Sequence, residues 1–116
     1  MITNDDMDQV FSALAHTTRR EILDHLRQKP GMAVGELAQS FDVTRIAVMN
    51  HLQVLTNAGL ITSEKVGRTR RLYLNAMPLQ LIHDRWIDAY SGHWLDRMSL
   101  IKQTAEAVAQ QIYEED

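Results

Sequence analysis

The sequence contains no cysteine, which excludes disulfide bonds, thiolate ligands for metals and thiol-based redox switches. It also contains no apolar run near the roughly 20 residues that a membrane-spanning helix requires. Its first ten residues are acidic and polar, whereas a secretory signal would be basic and then hydrophobic. These absences predict a cytoplasmic protein that does not enter a membrane.

Motifs for catalysis are missing as well. The chain has no glycine-rich phosphate loop, no nucleophile with a paired base at a known spacing and no cluster of carboxylates, and its five histidines are scattered. We therefore expect neither an enzyme nor a bound cofactor. Apolar material is present, because 45% of the 116 residues are hydrophobic. That is enough for one domain over residues 1–116, with a small core that a partner subunit could enlarge.

Two amphipathic helical patterns joined by a tight polar turn dominate the middle of the chain. The first covers residues 34–41 and carries one apolar stripe. The second covers residues 44–58, where the Thr44 hydroxyl can cap the helix N-terminus and Gly59 can end the helix in a left-handed conformation. A helix of this length measures roughly 22 Å and could lie across a DNA major groove about 12 Å wide. Its buried face should consist of Val48, Leu52 and Leu55.

Two segments with strand-like alternation follow these helices. They cover residues 61–66 and 70–74, and Gly67 between them can adopt the positive φ of a hairpin turn. A hairpin directly after such a helix pair is the pattern of a winged helix-turn-helix.

The N-terminal part of the chain predicts further helices. Residues 7–16 carry an apolar stripe, and Thr18 with Glu21 matches a capping box that would open a second helix. A short strand could also form near residues 32–33. The whole pattern predicts a mainly α fold with a small β-hairpin wing, containing about five helices and a two- or three-stranded antiparallel sheet.

The last apolar stripe is long for so small a domain. It covers residues 78–113, with Pro78 in its first turn and apolar residues spaced by three or four. Gly92 lies within the stripe and could mark a kink or a break. Because residues 1–77 could not cover a stripe of this length, a second copy of the chain is the favoured partner.

Charge is segregated along the chain. The net charge is −3, yet residues 44–75 contain five basic residues and one acidic residue, for a local charge of +4. Residues 1–43 carry −3 and residues 76–116 carry −4. A basic cluster on a hairpin after a recognition-type helix suits DNA phosphates, and the acidic remainder disfavours other approaches.

The segment TRIAVMNHLQVL at residues 44–55, followed by AGLI at residues 58–61, resembles the recognition helix of ArsR-type winged-helix transcriptional repressors. The pattern of that family is roughly S-R-P-A-V-S-x-H-L-x-V-L-x-x-A-G-L-V. The likeness extends over most of the chain, to residues 13–15, 18–23, 67–68 and 73. It implies a homodimer that binds a pseudo-palindromic double-stranded DNA operator and represses its own or a neighbouring promoter by blocking polymerase.

The candidate DNA-contacting residues divide into two chemical groups. Arg45 and Asn50 suit the edges of guanine and adenine, while Ile46 and Met49 could pack on thymine methyl groups. The hairpin cations should meet phosphates or the minor groove, which adds affinity with little sequence information. The full predicted set is Thr44, Arg45, Ile46, Ala47, Met49, Asn50, Gln53, Lys65, Arg68, Thr69, Arg70 and Arg71.

The aromatic spacing of the last helix resembles one subgroup of the family, in which the first and last helices build the dimer. We therefore predict that residues 7–16 and 78–113 form the dimer interface, and an aromatic effector pocket is the alternative for the same side chains. The predicted interface residues are Val10, Phe11, Leu14, Ile82, Trp86, Tyr90, Trp94, Met98, Ile101 and Ala105.

Metal sensing is the alternative that the family name invites. The spacing of His83, His93 and Asp96 is similar to the last-helix zinc motif of metal-sensing relatives, but Leu81 replaces the first Asp of that motif and the gap is one residue short. Because a zinc site needs about four ligands, we predict no metal site. Two other hypotheses are a repressor that responds to a small ligand through the last helix and a winged helix that binds an acidic protein surface.

Overall fold

The structure, a computed structural model, describes residues 2–87 and 91–114, and the side chains of residues 91–99 and 112–114 lie outside that description. The described residues form six helices and three strands, divided between two compact units, Met1–Ile82 and His83–Asp116. None of the described helices combines the length and the apolar character that crossing a bilayer requires. The elements are α1 Asn4–Leu14, α2 Thr17–Gln28, β1 Met32–Ala33, α3 Val34–Gln39, α4 Arg45–Asn57, β2 Ile61–Val66, β3 Thr69–Leu74, α5 Met77–Ile87 and α6 Ser91–Glu114.

The strands form one antiparallel sheet in the order β1-β3-β2. Leu72 at the centre of β3 is paired with Met32 on one side and with Ser63 on the other. The predicted fold class is confirmed: a mainly helical winged helix-turn-helix with a three-stranded sheet. The described helices number six, whereas about five were expected.

The core of the first unit collects apolar side chains from α1, α2, α3, α4 and the sheet. The apolar stripe predicted for α4 is confirmed, because Val48, Leu52 and Leu55 are all buried. The largest fully buried side chains are Val10, Ile22, Leu26, Leu37, Val48, Leu55 and Leu60. Each full burial of such a side chain contributes roughly 1.5–3 kcal/mol, so this face fixes the orientation of α4.

Both ends of α4 are closed as the sequence predicts. Thr44 is the N-cap, and its Oγ1 accepts a hydrogen bond from the Ala47 amide at 3.1 Å. At the other end Gly59 has φ +79°, and the Leu60 amide donates to the Leu55 carbonyl at 3.0 Å. This left-handed turn satisfies helix carbonyls that would otherwise lack partners.

Asn75 connects the base of the hairpin to the C-terminal end of α4. Its Nδ2 donates to the Gly59 carbonyl at 2.9 Å, and its backbone amide donates to the Leu60 carbonyl at 2.8 Å. Gly67 has φ +63° in the turn between β2 and β3, as the hairpin pattern predicts. The hairpin is therefore held against the helix that precedes it.

The first two helices begin earlier than the sequence patterns predict. The first helix, predicted over residues 7–16, is α1 at Asn4–Leu14, because Thr3 and Asp6 form a reciprocal capping box. The capping box predicted at Thr18 is wrong. The Nδ1 atom of His16 accepts from the Thr18 amide at 3.2 Å, which makes His16 the N-cap of α2 and puts Thr18 inside the helix.

Two further boundaries differ from the prediction. The helix predicted over residues 34–41 ends at Gln39, and its N-cap Ala33 offers no side-chain hydrogen bond. The pattern predicted over residues 78–113 corresponds to two described helices, α5 and α6, on either side of residues 88–90, which lie outside the described residues. The α6 helix begins at Ser91, so Gly92 lies in its first turn.

The Thr44 cap predicts a measurable contribution to stability. Replacing Thr44 by Ala should lower the free energy of unfolding by about 1 kcal/mol, because the Ala47 amide loses its partner. Chemical denaturation would measure this difference. Thr56→Ala is the matched control, since it removes an exposed hydroxyl from the same helix without removing a cap. Equal destabilisation of the two variants would contradict the role of the cap.

Candidate nucleic-acid interface

The exposed face of α4 carries side chains suited to base edges. Ile46 is 74% exposed and Met49 is 44% exposed, and Asn50 and Gln53 are also exposed. The Gln53 Nε2 donates to the Asn57 Oδ1 at 2.8 Å, which orders this amide along the helix. Because the opposite face of α4 is buried, the exposed side chains project together from one side of the domain.

A concave surface of about 400 Å³ joins the N-terminal half of α4 to the hairpin. Three arginines, Arg45, Arg68 and Arg70, line it together with the aliphatic chain of Met49. None of the described residues forms an ion pair with these arginines. The surface is therefore a positive groove beside the exposed face of α4. Its remaining lining residues are Ala33, Val34, Gly35 and Thr69.

The strand register places two cations opposite each other on the groove side of the hairpin. Lys65 pairs with Arg70 across β2 and β3, and Arg70 shares its face of β3 with the buried Leu72. The Nη1 atom of Arg70 donates to the Ser63 Oγ at 2.8 Å, which keeps the guanidinium on this side. Like charges directly opposite each other destabilise a sheet. The pair therefore weakens the hairpin, and it forms a site that suits an anion.

Arg71 differs from the other cations of the hairpin. Side chains alternate along a strand, so Arg71 faces away from the side that Arg70 and Leu72 share. Its Nη1 donates to the Gly31 carbonyl at 3.0 Å in a partly buried hydrogen bond, and Glu64 lies opposite it in the register. This hydrogen bond ties β3 to the segment before β1. Arg71 therefore lies on the opposite face of β3 from Arg70 and makes a structural contact there.

Three other members of the predicted set differ in their exposure to solvent. Thr44 caps α4 and is exposed, whereas Ala47 is half-buried on the flank of the helix. Thr69 is half-buried in the groove beside Arg68. The structure thus brings five predicted residues together in the groove, and it places three more on the exposed face of α4. The five groove residues are Arg45, Met49, Arg68, Thr69 and Arg70, and the three on the exposed face are Ile46, Asn50 and Gln53.

A second cluster of basic side chains meets α4 on its other flank, and sequence reasoning missed it. The rings of His16 and His51 are 4.5 Å apart between centroids, so the start of α2 contacts the recognition helix. Burial, followed by repulsion from His16 and then from Arg19, lowers the pKa of His51 below its ordinary value of 6.5. The signal in the sequence was Arg19 and Arg20 in the first turn of a helix with no acidic residue there.

The predicted dimer residues of the first unit do not all lie at its surface. Val10 is 1% exposed and belongs to the core, so its side chain cannot contact a partner subunit. Phe11 is 47% exposed, and Leu14 is half-buried. Ile82 is half-buried and packs on the core of the first unit. Phe11 is therefore the residue of α1 with the most apolar surface available.

The predicted dimer residues of the second unit are partly described. Trp86 is 57% exposed with Arg85 stacked near its ring, and Ile101 and Ala105 are exposed on α6. Tyr90 lies outside the described residues, as do the side chains of Trp94 and Met98. Leu100, Thr104, Val108 and Ala109 join Ile101 and Ala105 in one apolar surface along α6.

The histidine positions considered for metal binding are only partly described. His83 contacts the carboxylate of its neighbour Asp84, with Nδ1 and Oδ1 3.3 Å apart. The side chains of His93 and Asp96 lie outside the described residues. Within the described part of the chain, no three His, Asp or Glu side chains converge in a way that could hold a metal ion.

The fold and the basic groove define a winged helix-turn-helix protein. A family model described as a helix-turn-helix domain matches residues 14–64. A solved ArsR-like transcriptional regulator from Rhodococcus sp. RHA1 is 35% identical to the chain and has a TM-score of 0.64, over 89% of this chain and 93% of that one. The chain belongs to the ArsR family of winged helix-turn-helix transcriptional regulators.

Two proteins of Bacillus subtilis are similar in sequence. The uncharacterised HTH-type transcriptional regulator YuzN is 37% identical over 91 residues, which are 73% of this chain and 99% of YuzN. The transcriptional repressor SdpR is 34% identical over 74 residues, covering 64% of this chain and 81% of SdpR. Both similarities cover most of the relative, so the protein is a transcriptional regulator of the same kind.

The lowered pKa of His51 predicts that the folded protein loses stability in mild acid. Below about pH 6.5 the unfolded chain protonates this histidine while the folded protein resists protonation, so stability falls as the pH falls through this range. Chemical denaturation at several pH values would measure the free energy of unfolding, which should depend less on pH in a His51→Gln variant than in the native protein. A His16→Asn variant keeps an acceptor for the α2 cap. Its pH dependence should lie between those of the native protein and His51→Gln, because burial of His51 remains while repulsion from His16 is lost. Identical pH dependence of all three proteins would contradict this effect.

Proposed function

We propose that the protein is a homodimeric repressor that binds a pseudo-palindromic operator in double-stranded DNA and blocks polymerase at that promoter. The observation that carries the proposal is the exposed face of α4 beside a groove lined by three arginines. Of the relatives, SdpR is named a transcriptional repressor. The proposal implies a binding protein in the cytoplasm rather than an enzyme.

Base recognition is assigned to the exposed face of α4. Arg45 can form paired hydrogen bonds with guanine, and Asn50 and Gln53 can do so with adenine. Ile46 and Met49 offer apolar surface to thymine methyl groups, which lie in the same major groove. These contacts distinguish base pairs, so they would supply the preference for one operator.

Phosphate binding is assigned to the groove side of the hairpin. Lys65 and Arg70 lie opposite each other there, and Arg68 lies at the turn. A phosphate close to this pair would relieve the repulsion between the two cations, since its negative charge attracts both. Such contacts hold the duplex in place and make affinity depend on salt, without selecting a sequence.

Dimerisation is assigned to two surfaces that are described separately, the apolar surface of α6 in the second unit and Phe11 of α1 in the first. Leu100, Ile101 and Val108 are each more than half exposed on one helix, which is costly for a helix that remains in water. A second copy of the chain is the proposed occupant, because a two-fold contact uses the same patch on both subunits. Two subunits related in this way would present two α4 helices to two half-sites about 10 base pairs or a multiple apart.

Selection of bound duplexes from a random DNA library tests the proposal as a whole. We expect a palindromic or nearly palindromic sequence to be enriched, because two identical subunits contact two identical half-sites. Salt-sensitive binding without any preferred sequence would contradict the assignment of base recognition. Absence of duplex binding, with capture of an acidic protein surface instead, would favour the protein-interaction hypothesis.

Separate substitutions should distinguish base recognition from phosphate binding. Asn50→Ala should cost on the order of 1–3 kcal/mol on the selected operator and relax the preference at one base pair in each half-site. Arg70→Ala should weaken all duplexes together and flatten the plot of log affinity against log salt concentration by about 1.8, because each subunit loses one phosphate contact. Fluorescence anisotropy over a series of salt concentrations would measure both effects.

Arg71→Ala is the matched control for Arg70→Ala, since it removes the same charge from the adjacent position of β3. Loss of the hydrogen bond to the Gly31 carbonyl should lower the free energy of unfolding by about 1 kcal/mol, while the salt slope stays near that of the native protein. If Arg71→Ala flattens the slope and Arg70→Ala does not, the two faces of the hairpin have been assigned the wrong way round.

Single substitutions on α6 test the proposed dimer. Ile101→Glu places a charge in the apolar surface and should shift the protein to monomers in sedimentation at micromolar concentration, with loss of tight operator binding. Gln103→Glu adds the same charge to the same helix outside that surface and should leave the dimer intact. A native protein that sediments as a monomer while binding the operator tightly would contradict the assignment of α6.

A further inference from the structure

The first turn of α2 holds positive charge where a helix disfavours it. The amide groups at a helix N-terminus carry a partial positive charge, which favours acidic side chains in the first turn. In α2 this turn contains Arg19 and Arg20 and no acidic residue. The N-cap is a histidine, His16, whose Nδ1 accepts from the Thr18 amide. The two arginines oppose the helix dipole, and a bound anion would compensate for their charge.

This turn lies against the recognition helix on the flank opposite the hairpin. Met49, in the groove beside the hairpin, and His51, in contact with His16, are two residues apart on α4. At about 100° per residue they lie roughly 200° apart around the helix axis. The exposed Asn50 and Gln53 lie between these two flanks. The exposed face of α4 is thus bordered by basic side chains on both sides.

Arg19 is the member of this cluster whose hydrogen-bonding groups are least used. It is half-buried, and its fully buried Nε has no acceptor among the described residues, so an anion could reach only the terminal nitrogens of the guanidinium. Arg20, by contrast, donates to the Leu14 carbonyl at 2.7 Å and to the Thr17 Oγ1 at 3.4 Å. Burial, and then repulsion from His16 and Arg19, lowers the pKa of His51, which indicates that the charge of Arg19 lies close enough to α4 to act on it.

We infer that His16 and Arg19 bind a phosphate of the DNA backbone on the side of the major groove opposite the hairpin. The major groove is about 12 Å wide and is bounded by one backbone on each side. Lys65, Arg68 and Arg70 would contact one of these backbones, and the start of α2 would contact the other. The inference rests on the proposed DNA binding and adds a second phosphate site to it.

Such a second site has a consequence for α4. Phosphate contacts fix the register and orientation of a protein on the duplex. With contacts on one side only, the whole domain could rock on the duplex and carry α4 with it, so Asn50 and Gln53 would not meet the same base edges each time. Contacts on both flanks would hold these side chains in one orientation toward the bases. Loss of the second site should therefore weaken every duplex and also reduce the preference for the operator.

An Arg19→Gln variant tests the inference through salt dependence. It removes the charge while keeping a long polar side chain, and thermal unfolding would establish that the variant folds. In the dimer we expect the plot of log affinity against log salt concentration to flatten by about 1.8, because each subunit loses one phosphate contact. Arg27→Gln is the matched control: it makes the same change at the far end of α2, about 12 Å along the helix, and should leave the slope unchanged.

Methylphosphonate substitution of single phosphates in the selected operator locates the contact. With the native protein, neutral phosphates should weaken binding at two places in each half-site, one on each backbone bordering the major groove. With Arg19→Gln, sensitivity should disappear at one of these places and persist at the other. If Arg19→Gln unfolds, His16→Asn provides the same comparison, because Asn retains an acceptor for the α2 cap.

Two outcomes would overturn the inference. Sensitivity confined to one backbone, or a folded Arg19→Gln variant with the native salt slope, would mean that the start of α2 contacts no phosphate while the proposed DNA binding stands. Absence of salt-dependent duplex binding by the native protein would remove the proposed function and this inference together.

Discussion

Burial of one face of α4 is the constraint on which the rest of the structure depends. Val48, Leu52 and Leu55 enter the core, so the opposite side of the helix must face water. Ile46 and Met49 expose apolar surface on that side, and the proposed contacts with thymine methyl groups would cover it. The Thr44 cap and the Gly59 turn fix where this helix begins and ends, and therefore which residues it presents.

The positive surface of the hairpin lowers the stability of its strand pair. Opposed cations at Lys65 and Arg70 weaken the strand pair, while the hydrogen bonds of Asn75 to the end of α4 keep the hairpin in place. Arg71 contributes to the same sheet through its hydrogen bond to the Gly31 carbonyl. Neighbouring arginines thus make different contacts, because successive side chains of a strand point to opposite faces.

Net charge is a poor guide to this protein's partner, because the charge is distributed unevenly. The chain carries −3 overall, yet basic side chains border α4 on both flanks. The hairpin cluster stands out in the sequence as a local excess of +4 in residues 44–75. The pair Arg19 and Arg20 lies in residues 1–43, whose net charge of −3 hides it. Only the contact between His16 and His51 shows that the start of α2 lies beside α4.

The sequence by itself determined the helix-turn-helix, the hairpin and the two ends of α4, because these depend on local periodicity, a capping hydroxyl and a glycine with positive φ. Only the tertiary structure decided which hairpin arginines line the groove, that Val10 belongs to the core, and that His16 contacts His51. Strand register and the packing of one helix on another set these contacts, and they depend on residues far apart in the chain. The sequence pattern of one segment indicates which face of a helix or strand is apolar. It does not indicate which other elements that face and its flanks will contact.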